Sequence, residues 1–120
     1  MKFKNEDMFR NIMVMRDIHE TGKLGYAIAR NMRKMTDAAK EYMDIREDIL
    51  KKYGNETDDG LYMIPKDKTA DFSREMGEYS GIEHDVDVFF VSESDFLNSN
   101  MDTQQMFALD WMISQEGNKT

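Results

Sequence analysis

The sequence predicts an α+β fold with an N-terminal helical hairpin, a small sheet and short C-terminal helices. Apolar residues recur every three or four positions from Leu24 to Ile49, which indicates one long amphipathic helix. Apolar and polar residues alternate along 82–91, which is typical of a half-buried strand. Ser92 is followed three residues later by Asp95, and Asp102 by Gln105. Each pair has the spacing of a capping box, which predicts two helix starts.

The hairpin begins with a helix predicted from about Asn5 to Glu20. Its apolar residues fall on one helical face: Met8, Ile12, Met15 and Ile18. Thr21-Gly22 breaks this pattern before the long helix starts.

The long helix is the main predicted element. Its apolar stripe comprises Leu24, Ile28, Met32, Met35, Ala39, Tyr42, Ile45 and Ile49. We expect it to end near Tyr53, because Lys51 and Lys52 suit the negative end of the helix dipole and Gly54 suits the C′ position. A helix of about 28 residues would be roughly 40 Å long, so it should pair with the first helix or protrude.

Shorter elements follow, and turn residues separate them. We predict a polar turn at 55–60 and a helix at about 68–79. Strands are predicted near 61–64 and 82–91, and 1–4 is a third candidate strand. Near the C-terminus, one cluster is apolar all round and should be packed on both sides or form part of an interface: Met106, Phe107, Trp111 and Met112.

Length and composition place these elements in one domain. A chain of 120 residues fits a single core, with a helical part at 5–54, a mixed α/β acidic part at 55–115 and a mobile tail at 116–120. The absence of cysteine excludes disulfides and thiolate metal sites and favours a cytoplasmic location. We expect no secretory signal and no membrane span, because no apolar run of the sequence suits either.

The formal net charge of −8 conceals a division along the chain. Residues 1–54 contain 12 Lys and Arg against 9 Asp and Glu, a balance of +3. Residues 55–120 contain 4 Lys and Arg against 15 Asp and Glu, a balance of −11. An acidic surface repels nucleic-acid phosphates and favours basic partners, so we expect a protein partner and no direct nucleic-acid binding.

The candidate interaction surface has a basic part on the long helix, formed by Arg30, Arg33 and Lys34. These side chains could bind phosphates or an acidic partner. They could equally form ion pairs within the molecule, for example with Asp37 or Glu41.

The candidate surface also has an acidic part. A regular strand would place Glu83, Asp85 and Asp87 on one face, and Glu93 and Asp95 follow. Such a row could bind a hard cation or a basic groove, or it could be a solvated strand face. The two histidines are isolated, which argues against a transition-metal site. Since no nucleophile elbow or phosphate loop is present, we predict no catalytic residue, cofactor or metal.

Several segments of the chain resemble a known family. The segments are Lys23-Leu24-Gly25, the basic run Ala29-Arg30-Asn31-Met32-Arg33-Lys34, Ile49-Leu50-Lys51-Lys52-Tyr53-Gly54, Asp58-Asp59-Gly60, Phe72-Ser73-Arg74-Glu75-Met76 and the acidic strand. Over roughly residues 23–91 their order is similar to that in small phage and prophage proteins of unknown function from bacteriophages of Gram-positive bacteria. The family pattern has Ser where this chain has Ala29. The resemblance implies a biological context and no mechanism.

These observations lead to one main hypothesis and three alternatives. The main hypothesis is a non-enzymatic phage or prophage accessory protein of the host cytoplasm that acts through protein–protein interaction. A homodimer through the long helix is compatible with it. The alternatives are an acidic nucleic-acid mimic that inhibits a host defence nuclease, a structural component of the virion, and a metal-dependent module that uses the acidic strand.

Overall fold

The structure, a computed structural model, describes residues 1–114 and confirms the predicted α+β class. The predicted tail at 116–120 lies outside the described residues. In chain order the elements are β1 (Lys2–Lys4), α1 (Asn5–Arg16), α2 (Gly22–Tyr53), β2 (Asn55–Glu56), β3 (Tyr62–Met63), α3 (Thr69–Ser80), β4 (Glu83–Asp85), α4 (Glu93–Leu97) and α5 (Thr103–Ala108). Short 3₁₀ helices at Lys66–Lys68 and Asp110–Met112 precede α3 and follow α5.

The predicted helical hairpin is formed by α1 and α2, which pack against each other along the main core. Met8 and Met15 of α1 and Met35 of α2 are fully buried there. α1 ends at Arg16 rather than near Glu20, because the chain tightens at its last turn into hydrogen bonds to carbonyls three residues back.

Two elements cover the apolar face of α2, which explains how so long a helix fits a small protein. Its 32 residues correspond to about 48 Å. α1 packs along its N-terminal part, and α3 covers its last turns through a second, smaller core that contains Tyr42, Ile49 and Met76. No helix in residues 1–114 is both long enough and apolar enough to cross a membrane.

Gly54 ends α2 as predicted, but for a different physical reason. Its φ of −99° is ordinary, so it does not form a left-handed cap. A Cβ at this position would lie 2.7 Å from the Leu50 carbonyl oxygen and 3.1 Å from the Cβ of Tyr62. The glycine therefore allows β3 to pack closely against the end of the helix.

The strands form two separate two-stranded antiparallel sheets. One sheet pairs β1, the candidate strand at 1–4, with β4. The other pairs β2 with β3, so the strand predicted near 61–64 has its partner inside the predicted polar turn at 55–60. The helix predicted at about 68–79 is present as α3.

The strand predicted over 82–91 is regular only over Glu83–Asp85, because its partner β1 has only three residues. Beyond β4 the backbone N–H and C=O of Phe89 both bond to the side chain of Asn31 in α2. Val91 then makes an isolated bridge to the C-terminal segment. The chain is held there by a helix side chain and by a distant segment. The alternation of apolar and polar residues along the sequence predicts neither of these partners.

Both predicted capping boxes are confirmed, and they start α4 and α5. The Ser92 hydroxyl accepts a hydrogen bond from the Asp95 N–H at 3.3 Å. The Asp102 carboxylate accepts one from the Gln105 N–H at 2.8 Å. These short-range signals can be recognised in sequence because both partners lie within one helical turn.

Candidate functional site

The basic part of the candidate surface lies on α2, outside its apolar stripe. Arg33 is exposed, and Arg30 and Lys34 are half-buried. None of the three forms an ion pair within residues 1–114, so the predicted alternative of pairing with Asp37 or Glu41 is not realised there. Among the described residues, no carboxylate neutralises the charge of this cluster by direct contact.

The acidic row is compensated in part by β1. Glu83 and Asp85 are exposed on one face of β4, directly opposite Lys4 and Lys2. Asp85 also accepts a hydrogen bond from the amino group of Met1 at 2.9 Å, and this bond together with the positive charge lowers the pKa of Asp85. The row therefore faces a row of lysines, which the sequence alone did not indicate.

The other predicted carboxylates do not extend this row into one free acidic face. Asp87 lies beyond β4, and Glu93 is exposed in the first turn of α4. Asp95 is engaged in its capping box, where its carboxylate accepts hydrogen bonds from the Ser92 N–H and hydroxyl at 3.3 and 3.0 Å. Within the described part of the chain, no group of three or more Asp, Glu or His residues could hold a metal ion.

An apolar groove lies between α1 and the C-terminal segment. Its cavity volume is about 580 Å³, and its apolar walls comprise Phe3, Phe9, Met13, Val14, Phe107, Ala108 and Trp111. Phe107 is 85% exposed and Met13 is 37% exposed, one on each side of the groove. The sequence predicted that the C-terminal apolar cluster is packed on both sides or forms part of an interface. Phe107 and Trp111 of that cluster form one wall of this groove.

The polar groups of the groove are engaged with one another. The Trp111 indole N–H donates to Asn11 Oδ1 at 3.4 Å, and the Trp111 ring contacts the Phe3 ring edge-on, with centroids 5.0 Å apart. Asp7 and Arg10, which also line the groove, form an ion pair with each other. The indole is thus held in place, while Phe107 and Met13 are available for contact with another molecule.

The groove continues along α1 and becomes acidic. Met13 and Val14 also line a second depression of about 290 Å³, whose remaining residues include Asp17 and Asp102. Both carboxylates are exposed and neither forms an ion pair within residues 1–114. The surface along α1 is therefore apolar at one end and negatively charged at the other.

The sequence matches no protein-family model, and comparisons with curated proteins and with solved structures give no significant match. The groove offers exposed apolar side chains, while its own acid, base and amide are engaged with neighbours. This arrangement suits the binding of apolar side chains from another molecule.

Proposed function

We propose that the protein is a non-enzymatic phage or prophage accessory protein that binds another protein through the groove between α1 and α5. The main support is that the Phe107 side chain is 85% exposed and lines an apolar groove of about 580 Å³. Contiguous exposed apolar surface marks interaction sites, and aromatic side chains are frequent anchors of protein interfaces. The phage or prophage context is supported by the sequence resemblance over roughly residues 23–91 alone.

The nucleic-acid-mimic alternative receives less support from the same surface. A mimic needs several free carboxylates in a continuous row. Here Glu83 and Asp85 lie opposite lysines, and the carboxylate of Asp95 is half-buried and accepts hydrogen bonds from Ser92. A protein partner at the groove needs none of these carboxylates.

Retention of a partner by the immobilised protein tests the proposal. The protein is incubated with a lysate of a Gram-positive host, and retained proteins are identified by mass spectrometry. We expect the wild type to retain a partner that Phe107→Ser loses, since the substitution removes the exposed aromatic anchor. The matched control is Leu97→Ser, because Leu97 is similarly exposed but lies on α4, outside the groove. Retention of no protein, or equal retention by both variants, would contradict the proposal.

A further inference from the structure

We infer that the groove accepts a basic amphipathic helix of the partner, with apolar side chains in the groove and Lys or Arg at the end that faces Asp17 and Asp102. This inference rests on the proposed function, because it specifies the chemistry of the partner bound there. It depends on two properties of the surface along α1: its length, and its change from apolar at one end to negatively charged at the other.

The apolar part of the surface matches the spacing of side chains on a helix. α1 has 12 residues and is therefore about 18 Å long. Helices that bind in grooves use anchors at i, i+3 or i+4 and i+7, which span about 10 Å. The groove follows α1 from Asp7 to Val14, which is also about 10 Å, so anchors with this span would contact Met13, Phe107 and Trp111 of its lining.

The acidic end of the surface favours a positive charge. Asp17 directly follows α1, where the helix dipole already disfavours a carboxylate and favours a cation. Asp102 adds a second negative charge across the depression, and its hydrogen bond from the Gln105 N–H leaves that charge in place. Arg16 is the basic residue nearest in sequence to Asp17, and it pairs with neither carboxylate in the described structure.

Other occupants fit this surface less well. Residues 115–120 of the sequence contain no large apolar side chain that could serve as an anchor in the groove. A second copy would have to supply both apolar anchors and positive charge. Its most basic element is α2, where Tyr26 is the one large apolar side chain that is exposed. The charge balance of −11 over residues 55–120 also attracts a basic segment before contact.

Tryptophan fluorescence provides a direct test, because Trp111 is the single tryptophan of the chain and lines the groove. The probes are three synthetic peptides of about 16 residues, a length at which helix formation becomes feasible. The first has Leu at i, i+4 and i+7 followed by two Lys. The second replaces both Lys by Glu, and the third replaces every Leu by Ser. We expect a saturable emission shift with the first peptide, at least roughly tenfold weaker binding of the second, and no shift with the third.

Variants of the two carboxylates test the acidic end. We expect the double variant Asp17→Asn/Asp102→Asn to bind the first peptide roughly three- to tenfold more weakly, as the loss of two exposed ion pairs would give. Asn also serves as an N-cap, so α5 keeps its start. The matched control, Glu47→Gln/Asp58→Asn, removes the same net charge elsewhere and should leave the affinity unchanged. Circular dichroism confirms that each variant is folded.

Several results would overturn the inference. Equal affinity for the Lys and Glu peptides, or an equal effect of the two double variants, would show that the acidic end does not select the partner. Unchanged peptide binding by Phe107→Ser would place the peptide elsewhere, and a concentration-dependent doubling of mass with a Trp111 shift would make a second copy the occupant. If no peptide binds while partner retention still depends on Phe107, the inference fails and the proposed function stands.

Discussion

At the residue scale, Asn31 holds the extended segment that follows β4 against α2. Its side chain is fully buried, its Nδ2 donates to the Phe89 C=O at 2.9 Å, and its Oδ1 accepts from the Phe89 N–H at 2.7 Å. The amide therefore supplies the two hydrogen bonds that a neighbouring strand would otherwise make. Both hydrogen bonds are part-buried, and leaving backbone groups unpaired where water is partly excluded costs free energy.

The substitution Asn31→Leu should lower the free energy of unfolding by about 1–3 kcal/mol, because it leaves the N–H and C=O of Phe89 unpaired. Urea unfolding followed by circular dichroism measures the change. The control Asn98→Leu alters an exposed asparagine and should stay within about 0.5 kcal/mol of the wild type. Equal stability of the two variants would show that the Asn31 amide contributes nothing specific.

The sequence indicates where Asn31 lies but not what it bonds. Its spacing from Ile28 and Met35 places it on the buried face of α2, where a polar side chain requires a partner. That partner, Phe89, is 58 residues away, in a segment whose alternation predicts an ordinary strand. Helical periodicity defines the face of a residue, whereas the partner depends on how distant segments pack.

At the element scale, polar contacts attach α3 to the end of α2. The Tyr53 hydroxyl donates to Glu75 at 2.6 Å, and the Lys52 ammonium lies 3.0 Å from the same carboxylate oxygen. Hydrogen bonds from Tyr53 and then Lys52 lower the pKa of Glu75. The hydrogen bond to Glu75 raises the pKa of both Tyr53 and Lys52. The ionised carboxylate, the neutral phenol and the ammonium are thus the forms that the folded protein favours.

This cluster should make stability depend on pH at the acidic end. Because the pKa of Glu75 is lower in the folded state, its contribution is present above the ordinary value of 4.5 and is lost as pH falls through the folded pKa. We expect Glu75→Gln to lower Tm at neutral pH, and the difference from wild type to shrink as pH falls below 4.5 and through the folded pKa. Glu78→Gln, an exposed change on the same helix, should show no such pH-dependent gap. A gap of constant size from neutral to acidic pH would contradict this assignment.

Helices were predicted better than strands for a physical reason. In α2, in α3 and in both capping boxes, the hydrogen bonds join residues a few positions apart. Local residue spacing and composition can therefore predict them. β4 instead depends on β1, about eighty residues earlier in the chain. Its length is set by that short partner, which alternation along 82–91 cannot reveal.

At the scale of the whole molecule, the groove arises from segments about one hundred residues apart. The sequence marked the C-terminal cluster with Phe107 and Trp111 as an interface candidate, because it is apolar on every side. It did not show that α1 would form the opposite wall, or that Asp17 and Asp102 would meet at one end. The charged residues that the sequence suggested as an interaction surface lie outside the groove. A charge pattern indicates which residues face solvent, but it does not indicate where the surface is concave.

The shape of the molecule leads to a prediction about its assembly. The Cα radius of gyration is 16.8 Å, with principal extents of 54 × 30 × 21 Å, whereas a compact chain of this length would have about 14 Å. The elongation follows α2, whose apolar face is covered by α1 and α3. Little apolar surface is therefore left on this helix for the homodimer with which the sequence is compatible. We therefore expect small-angle scattering to give a monomer of 14.1 kDa with a radius of gyration near the 16.8 Å of the structure, independent of concentration. Doubled forward scattering with an unchanged cross-section would instead indicate end-to-end association, and a doubled cross-section would indicate pairing along α2.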